Sequence, residues 1–445
     1  MPRHLPRGLT GRGTEAAPEH GTQLAPEVQN VIKLTLAFTA AVGKDQKDKA
    51  DNLVVSPYNA MAALSMVSKG AEGQTRDELA KTLFGTDGKG LEAAVSDYAA
   101  LNEKILTANK GQVELTTANG VWTNNDIVAL KEDFAADLRK EFGAEISGES
   151  FGPATVDKVN NWASKNTNGL INKVLDQLSP DDAAVLASAL YFKGQWTHKF
   201  DKALTEEKDF TPDGKAAAQT PTMHQDYGRK DGLTLVQGAD YQAVALTYGE
   251  EKRAEGKSPT MRIVLLRPTD DKVSARDWLA GQANGKVPQW LDPAAFEKAT
   301  GSVELPRLDI KQTHDLIPSL KDMGIAKAFQ AGSTRKPGAD FSAMFKKGGK
   351  EIFISKVSHD VVFKTDEQGS EAAAVTVVGM MRSASMPAPM PHIDLQLDRS
   401  FVFALQDVAT GAVLFIGAVN KPNNDMANGP SRPKSNPAAR RGGLR

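Results

Sequence analysis

Two kinds of hydrophobic periodicity are segregated along this chain, and that segregation restricts the fold more than any other feature of the sequence. From Pro26, apolar residues recur at three- and four-residue spacing, as at Val28, Val31, Ile32 and Leu36, and Pro26 suits a first-turn position. The same spacing predicts helices over 56–69, 75–83, 90–106, 130–141 and 155–178, with few strands between them. The second half alternates instead, predicting strands over 243–246, 261–266, 302–310, 352–365 and 393–398, and it ends in the apolar runs 401–405 and 412–419. Helices first and strands later argue for an α+β architecture rather than a doubly wound one. No internal repeat or low-complexity linker interrupts 26–422, so this stretch of the 445 residues is expected to form one large domain.

With 40% apolar and 24% charged residues the chain is not disordered as a whole. Lys plus Arg (54) nearly cancels Asp plus Glu (55), so no electrostatic field favours nucleic acid or an anionic membrane as a partner. The absence of cysteine excludes disulfides, thiolate nucleophiles and Cys-ligated zinc, and leaves the redox compartment open. No apolar run approaches the roughly 18 residues that span a bilayer. Residues 1–25 place Arg3, Arg7 and Arg12 among Gly, Pro, Thr and Glu, without the apolar run of a secretory signal, and are expected to be disordered. Residues 423–445 carry Arg432, Lys434, Arg440, Arg441 and Arg445 in Pro, Asn, Gly and Ser, the composition of a disordered basic tail.

No catalytic signature is present. There is no G-x-S-x-G, H-E-x-x-H or G-x-G-x-x-G, and the seven histidines contain no pair spaced to clasp a metal. His359 alternates in phase with Val357, Val361 and Phe363, which reads as a core histidine satisfied by hydrogen bonds rather than a base. The segment 363–378, FKTDEQGSEAAAVTVV, is a strand running into Gly369 and then a small, uncharged stretch, which by itself also reads as an Ala-rich helix capped by Ser370.

Seven further motifs decide how that segment is read: NLVVSP at 52–57, GAEGQTRDELAKTL at 70–83, NWASKNTNGLI at 161–171, YFKGQW at 191–196, LPRL at 305–308, LQLDRSFVFAL at 395–405 and LFIGAVNKP at 414–422. In this order they resemble the serpin family across nearly all of 26–422. The resemblance implies an α+β serpin fold, with three sheets, about nine helices and an exposed reactive-centre loop. It further implies an inhibitory member of prokaryotic type, a monomer and not an enzyme, acting as a suicide substrate. Its partner would be a target serine protease held as a covalent acyl-enzyme, with no cofactor or metal. A non-inhibitory carrier or chaperone-like serpin, or an inhibitor of a cysteine protease, is the alternative. An extracellular or periplasmic location follows from the family, while the lack of a visible signal leaves the cytoplasm open.

By that resemblance Glu367 begins the hinge, Gly369 supplies a flexible turn and Ser370 is the first side chain to insert into a sheet. A side-chain period of two then turns Ser370, Ala372, Ala374, Thr376 and Val378 inward, and Glu371, Ala373, Val375 and Val377 outward. The inward set is small and uncharged, with no proline to delete a ladder donor, as insertion requires. Ser56, Asn59, Ser188 and His359 match the region the family calls the shutter, with Asn59 where Ser is usual and Ser188 where Asn is usual, an expected exchange that keeps donors and acceptors balanced. Trp196, Arg307 and Glu367 match the breach at the top of the insertion path, where Arg307 is expected to pair with Glu367 as an exposed ion pair. The family spacing from Glu367 puts the cleaved bond between Ser383 and Ala384. Chemistry favours Arg382, the only charged side chain from Val375 to Pro391, and Met380 and Met381 are further candidates.

Overall fold

Ser56 and Pro57 start the helix around which the molecule is built. The Ser56 hydroxyl accepts the Asn59 backbone N–H at 3.2 Å, Pro57 takes a first-turn position that needs no donor, and the helix runs over Pro57–Lys69. Nearly every residue of it is buried, polar ones included, which marks a helix surrounded on all sides. The structure, a computed structural model, describes residues 24–250, 259–332, 336–347, 349–350, 352–370 and 389–423. Eight α-helices lie among the described residues. Leu24 and Ala25, read from the sequence as the end of the extension, pack against the core. Asn423, read as the first residue of the C-terminal tail, is described and bridges to Asp309, while 1–23 and 424–445 lie outside the described residues.

The apolar runs near the C-terminus form the second and third strands of a seven-stranded sheet, in the order Leu53–Val55, Val413–Val419, Phe401–Asp407, Met261–Pro268, Tyr241–Tyr248, Thr234–Gln237 and Glu297–Lys298. Phe401–Asp407 and Val413–Val419 are buried along their whole length, as expected of strands covered on both faces. A four-stranded sheet joins His392–Gln396, Thr300–Pro306, Ala218–Tyr227 and Glu206–Phe210.

The third layer is not one sheet. Among the described strands Leu308–Asp315 forms a ladder with Ser358–Thr365 alone, while Glu145–Glu149, Glu114–Asn124 and Ala184–Gln195 form a separate sheet. Among the described residues no ladder joins Ser358–Thr365 to Ala184–Gln195. Two cavities lined by residues of both strands lie between them. The three expected layers are present, with this qualification among the described residues. The third is divided down its middle, and a short pair, Phe345–Lys347 with Ala129–Leu130, stands apart.

Other corrections are local. The helix expected over 155–178 stops at Asn166, because Asn168 (φ 48°) and Gly169 (φ 81°) turn left-handed and the Thr167 N–H closes the last turn on Ala163. The strand expected over 302–310 is two strands in different sheets, Thr300–Pro306 and Leu308–Asp315, divided at Arg307, whose N–H makes the last bond of the first ladder, to the Pro221 carbonyl, before Leu308 pairs with Thr365. Within 352–365 only Ser358–Thr365 is a strand. Few strands were expected in the first half, yet Glu114–Asn124 and Ala184–Gln195 are its longest, with ten residue pairs in register between them.

Candidate functional site

The divided sheet brings the sequence-matched residues together in two groups, one at the head of the gap and one at its middle. At the head, Ser358–Thr365 ends and the chain reverses within four residues: the Asp366 N–H donates to the Gly369 carbonyl at 2.8 Å, and the Gly369 N–H to the Asp366 carbonyl at 3.2 Å. Gly369 sits at φ 139°, and a Cβ there would lie 2.0 Å from the Gly194 carbonyl oxygen, so only glycine fits. Gly369 and Ser370 then pair antiparallel with Gln195 and Gly194. They form the first two rungs of a strand lying in the gap.

Trp196 fastens this turn. Its indole N–H donates to the Asp366 carbonyl at 2.8 Å and its backbone N–H to the Gln368 carbonyl at 2.9 Å. Its ring stacks on Tyr248 at 4.4 Å, and the Tyr248 hydroxyl lies 3.3 Å from that of Ser370. Arg307 donates to one oxygen of Glu367 through Nε at 2.9 Å and Nη2 at 2.5 Å, and Thr205 donates to the same oxygen at 2.6 Å. The pair expected to be exposed is not so. The Glu367 side chain is 5% exposed and that of Arg307 38%. Burial pushes the Glu367 carboxyl up, but the Arg307 and Thr205 hydrogen bonds outweigh it and leave the group below the ordinary carboxylate range. Loss of Arg307 would therefore strand a buried carboxylate, a much larger cost than that of breaking a surface pair.

At the middle of the gap, His359 Nε2 accepts the Ser56 backbone N–H at 2.9 Å and the Ser56 hydroxyl donates to the Leu414 carbonyl at 2.7 Å. Nε2 is thus an acceptor, so the neutral ring carries its proton on Nδ1. The Asn59 amide donates to the Ser188 carbonyl at 2.9 Å, and the Ser188 hydroxyl lies 2.7 Å from Asn59 Oδ1. The two exchanged residues are thus direct partners. The same hydroxyl lies 2.9 Å from Oδ1 of Asn119, the residue opposite Ser188 on the neighbouring strand.

Asn119, Thr205 and Tyr248 were not singled out from the sequence. Asn119 becomes recognisable only once the strands around Ser188 are paired. The remaining sequence-matched residues, namely Glu371, Ala372, Ala373, Ala374, Val375 and Thr376 of the hinge and Arg382, Ser383 and Ala384 of the reactive bond, lie outside the described residues.

Cavities along the gap are lined by apolar side chains together with Asn59, Ser188, His359 and Asp360. The lower cavity has a volume of 160 Å³ between Leu186 and Ser188 on one side and Ser358 and His359 on the other, under Trp162 and Leu175. A smaller one of 20 Å³ lies above it between Leu190, Phe192 and Phe363. Among the described residues no group of three His, Asp or Glu side chains is placed to hold a metal ion, and no helix is long and apolar enough to cross a membrane.

The profile of the Serpin (serine protease inhibitor) family matches residues 30–422. The chain belongs to the serpin family. It is 29% identical over 399 residues to human (Homo sapiens) neuroserpin, covering 87% of this chain and 89% of the relative. It is 27% identical over 384 residues to the leukocyte elastase inhibitor of Equus caballus, covering 85% and 95%. Among solved structures, the native state of the thermophilic serpin tengpin superposes with a TM-score of 0.73 at 26% identity, covering 88% of this chain and 94% of that one. Thyroxine-binding globulin in complex with thyroxine superposes with a TM-score of 0.70 at 23% identity, covering 88% and 99%, which bears on the fold alone. Serpins in general inhibit proteases rather than act as enzymes, and proteases are their partners.

Acid sensitivity follows for this serpin from its central cluster. Burial, with the stacked His314 ring adding to it, pushes the His359 pKa down to about 3. The unfolded chain binds a proton to this ring near pH 6.5 and the folded one does not. Stability is therefore complete above pH 6.5 and falls as the pH drops toward 3, by on the order of 4 kcal/mol in all. Glu367 acts in the same direction at lower pH, since its carboxylate form is favoured by folding. Denaturant midpoints between pH 7.5 and 4 should decline, and His359→Gln should flatten the decline above pH 4.5. A midpoint independent of pH in wild type would contradict it.

Proposed function

We propose that this protein inhibits a serine protease as a suicide substrate, with residues 371–388 as bait and the gap between Ser358–Thr365 and Ala184–Gln195 as the track the cleaved segment enters. The observation that carries this reading is that Gly369 and Ser370 already occupy the head of the gap, paired with Gln195 and Gly194. Below them the gap is lined by Leu190, Phe192 and Phe363, then by Leu186 and Ala187 beside the neutral polar groups Ser188 and His359. The inward residues after Ser370 are alanine, alanine, threonine and valine, which such a gap can accept without burying a charge.

The chemistry belongs to the protease. Its serine oxygen attacks the carbonyl carbon of the cleaved bond, the amine of the next residue leaves with a proton, and an ester joins enzyme and inhibitor. Insertion of the freed segment before water hydrolyses that ester drags the enzyme along the sheet and distorts its active site. We favour the bond after Arg382, with Ser383–Ala384 as the alternative. Arg382 lies twelve residues past Ser370, and Asp182 lies twelve before Gly194, so the existing register brings Arg382 level with the Asp182 carboxylate at the foot of the gap. At about 3.3 Å per residue that is a journey of roughly 40 Å. The function calls for no cofactor, and an extracellular or periplasmic target accords with it.

Mixed with trypsin as a probe for arginine-directed proteases, the protein should give a covalent complex that survives boiling in detergent. N-terminal sequencing of the released fragment should begin at Ser383, whereas a start at Ala384 would move the reactive bond by one residue. Complete cleavage without any covalent band, by trypsin and by elastase, would refute inhibition and favour the non-inhibitory alternative.

A further inference from the structure

The chain contains four Asn-Gly steps, at 119–120, 168–169, 284–285 and 428–429, the last outside the described residues. Such a step carries a chemistry of its own, because a glycine puts no Cβ in the way of attack by its nitrogen on the preceding side-chain amide. The attack makes three demands on the fold. The glycine N–H must be free to lose its proton, the asparagine side chain must lie back over the next peptide, and that peptide must have room to close a five-membered ring. The three described steps share their sequence and differ in what the fold allows.

Asn284 meets all three demands. It lies in the exposed turn that follows the helix Ala275–Gly281. The Lys286 N–H donates to Asn284 Oδ1 at 3.1 Å, an Asx turn that folds the side chain over the intervening Gly285 peptide. The same hydrogen bond polarises the side-chain carbonyl and is placed to stabilise charge that builds on its oxygen. Gly285 sits at φ 77°, a Cβ there would meet nothing within 4 Å, and its N–H has no hydrogen-bond partner among the described residues.

Asn119 and Asn168 fail for different reasons. Gly120 stands in the ladder on both sides, opposite Ala187 and Glu145, and Asn119 is 4% exposed with its amide donating to the Phe142 carbonyl at 3.0 Å. Asn168 is exposed, like Asn284, so exposure alone would give the two the same reactivity. The Gly169 N–H, however, donates to the Ser164 carbonyl at 2.8 Å in the left-handed turn that ends the helix Pro153–Asn166. That nitrogen gives up its proton only when the helix end opens.

We propose that Asn284 is a site of spontaneous deamidation in the folded protein, and that hydrogen bonding protects Asn119 and Asn168 from the same reaction. The Gly285 nitrogen loses its proton to base and bonds to Asn284 Cγ. The bond from Cγ to Nδ2 breaks, and ammonia leaves with a proton taken from water, which closes a succinimide. Water then opens the ring at either carbonyl. Breaking the bond between the Gly285 nitrogen and Cγ gives aspartate, whereas breaking the bond between that nitrogen and the Asn284 main-chain carbonyl gives isoaspartate. One water is consumed and one ammonia released, with no oxidant or cofactor. Either product adds one negative charge to a chain whose formal net charge is −1. The inference is independent of the inhibitory reading.

The test incubates the native protein, and the same protein unfolded in guanidinium chloride, at pH 8.5 and 37 °C. The gain of one mass unit is followed in tryptic peptides and located by fragmentation. In the native protein Asn284 should react at least about tenfold faster than Asn119 and Asn168, since those two must first open locally. In guanidinium, where only the shared sequence remains, the three rates should agree within about threefold. Asn284 should moreover react in the native protein within about threefold of its rate in guanidinium, because folding leaves its glycine nitrogen free. Equal native rates at Asn284 and Asn168, a native rate at Asn284 suppressed as strongly as at the other two, or a native ranking that persists in guanidinium would each overturn the proposal.

Discussion

Cutting the chain within residues 371–388 is expected to raise its melting temperature by on the order of 15 °C or more, although cleavage of a folded protein ordinarily does the reverse. An inserted strand of about a dozen residues makes roughly ten new ladder hydrogen bonds, each worth about 1 kcal/mol net. It also fills the lower cavity of 160 Å³. At about 24 cal/mol per Å³ that filling contributes close to 4 kcal/mol more. For a domain of roughly 400 residues, an unfolding entropy near 2 cal/mol/K per residue converts the sum into the stated shift. A gain of this size equals the whole stability of many proteins, so the intact form would be a kinetically trapped state whose relaxed alternative is blocked by the tether at both ends of the segment. Calorimetry of intact and nicked protein measures it directly. An unchanged midpoint would show that the segment stays out of the gap.

Ala372→Arg is expected to lower the yield of covalent complex with a susceptible protease by about a hundredfold or more and to convert the protein into an ordinary substrate. In the register begun by Ser370, Ala372 arrives between Phe192 and Phe363, which are 8% and 3% exposed. A guanidinium there would be desolvated with no acid within the cluster, a cost of several kcal/mol set against a race with ester hydrolysis. Glu371→Arg is the matched control. It places the same group one residue earlier, on the opposite face and level with Lys193, whose side chain is 31% exposed. It should leave the yield within about threefold, since exposed like charges interact weakly. Equal losses from both variants would mean that face, and with it the strand geometry of insertion, does not govern inhibition.

Much of the site was legible because its requirements are local. Ser56 before Pro57 is a helix start on any reading, and the helix begins there. The alternation that put His359 in phase with Val361 and Phe363 is the burial pattern of Ser358–Thr365. Gly369 was read as a turn and occupies a position where a Cβ would strike the neighbouring backbone. The motifs in family order assigned the fold, because their spacing along the chain is itself sequence information.

What the sequence could not decide was settled by partners distant in the chain. The strands Glu114–Asn124 and Ala184–Gln195 were not expected, since runs such as Ala-Ser-Ala and Thr-Ala-Asn-Gly have little intrinsic strand preference, and they are strands because each pairs with the other. Glu367 was taken for a surface charge. It is buried because Trp196, Phe200 and Thr205, more than 160 residues earlier, close over the turn that carries it. The division of the third sheet lies furthest from the sequence. Each of its strands has an ordinary pattern of inward apolar residues, and a missing ladder is a relation between two strands, written in neither of them. By itself the sequence determined which residues a strand could carry into the core. Only the tertiary structure decided that a place for such a strand stands open, with Asn59, Ser188 and Asn119 across it sharing one proton between two acceptors.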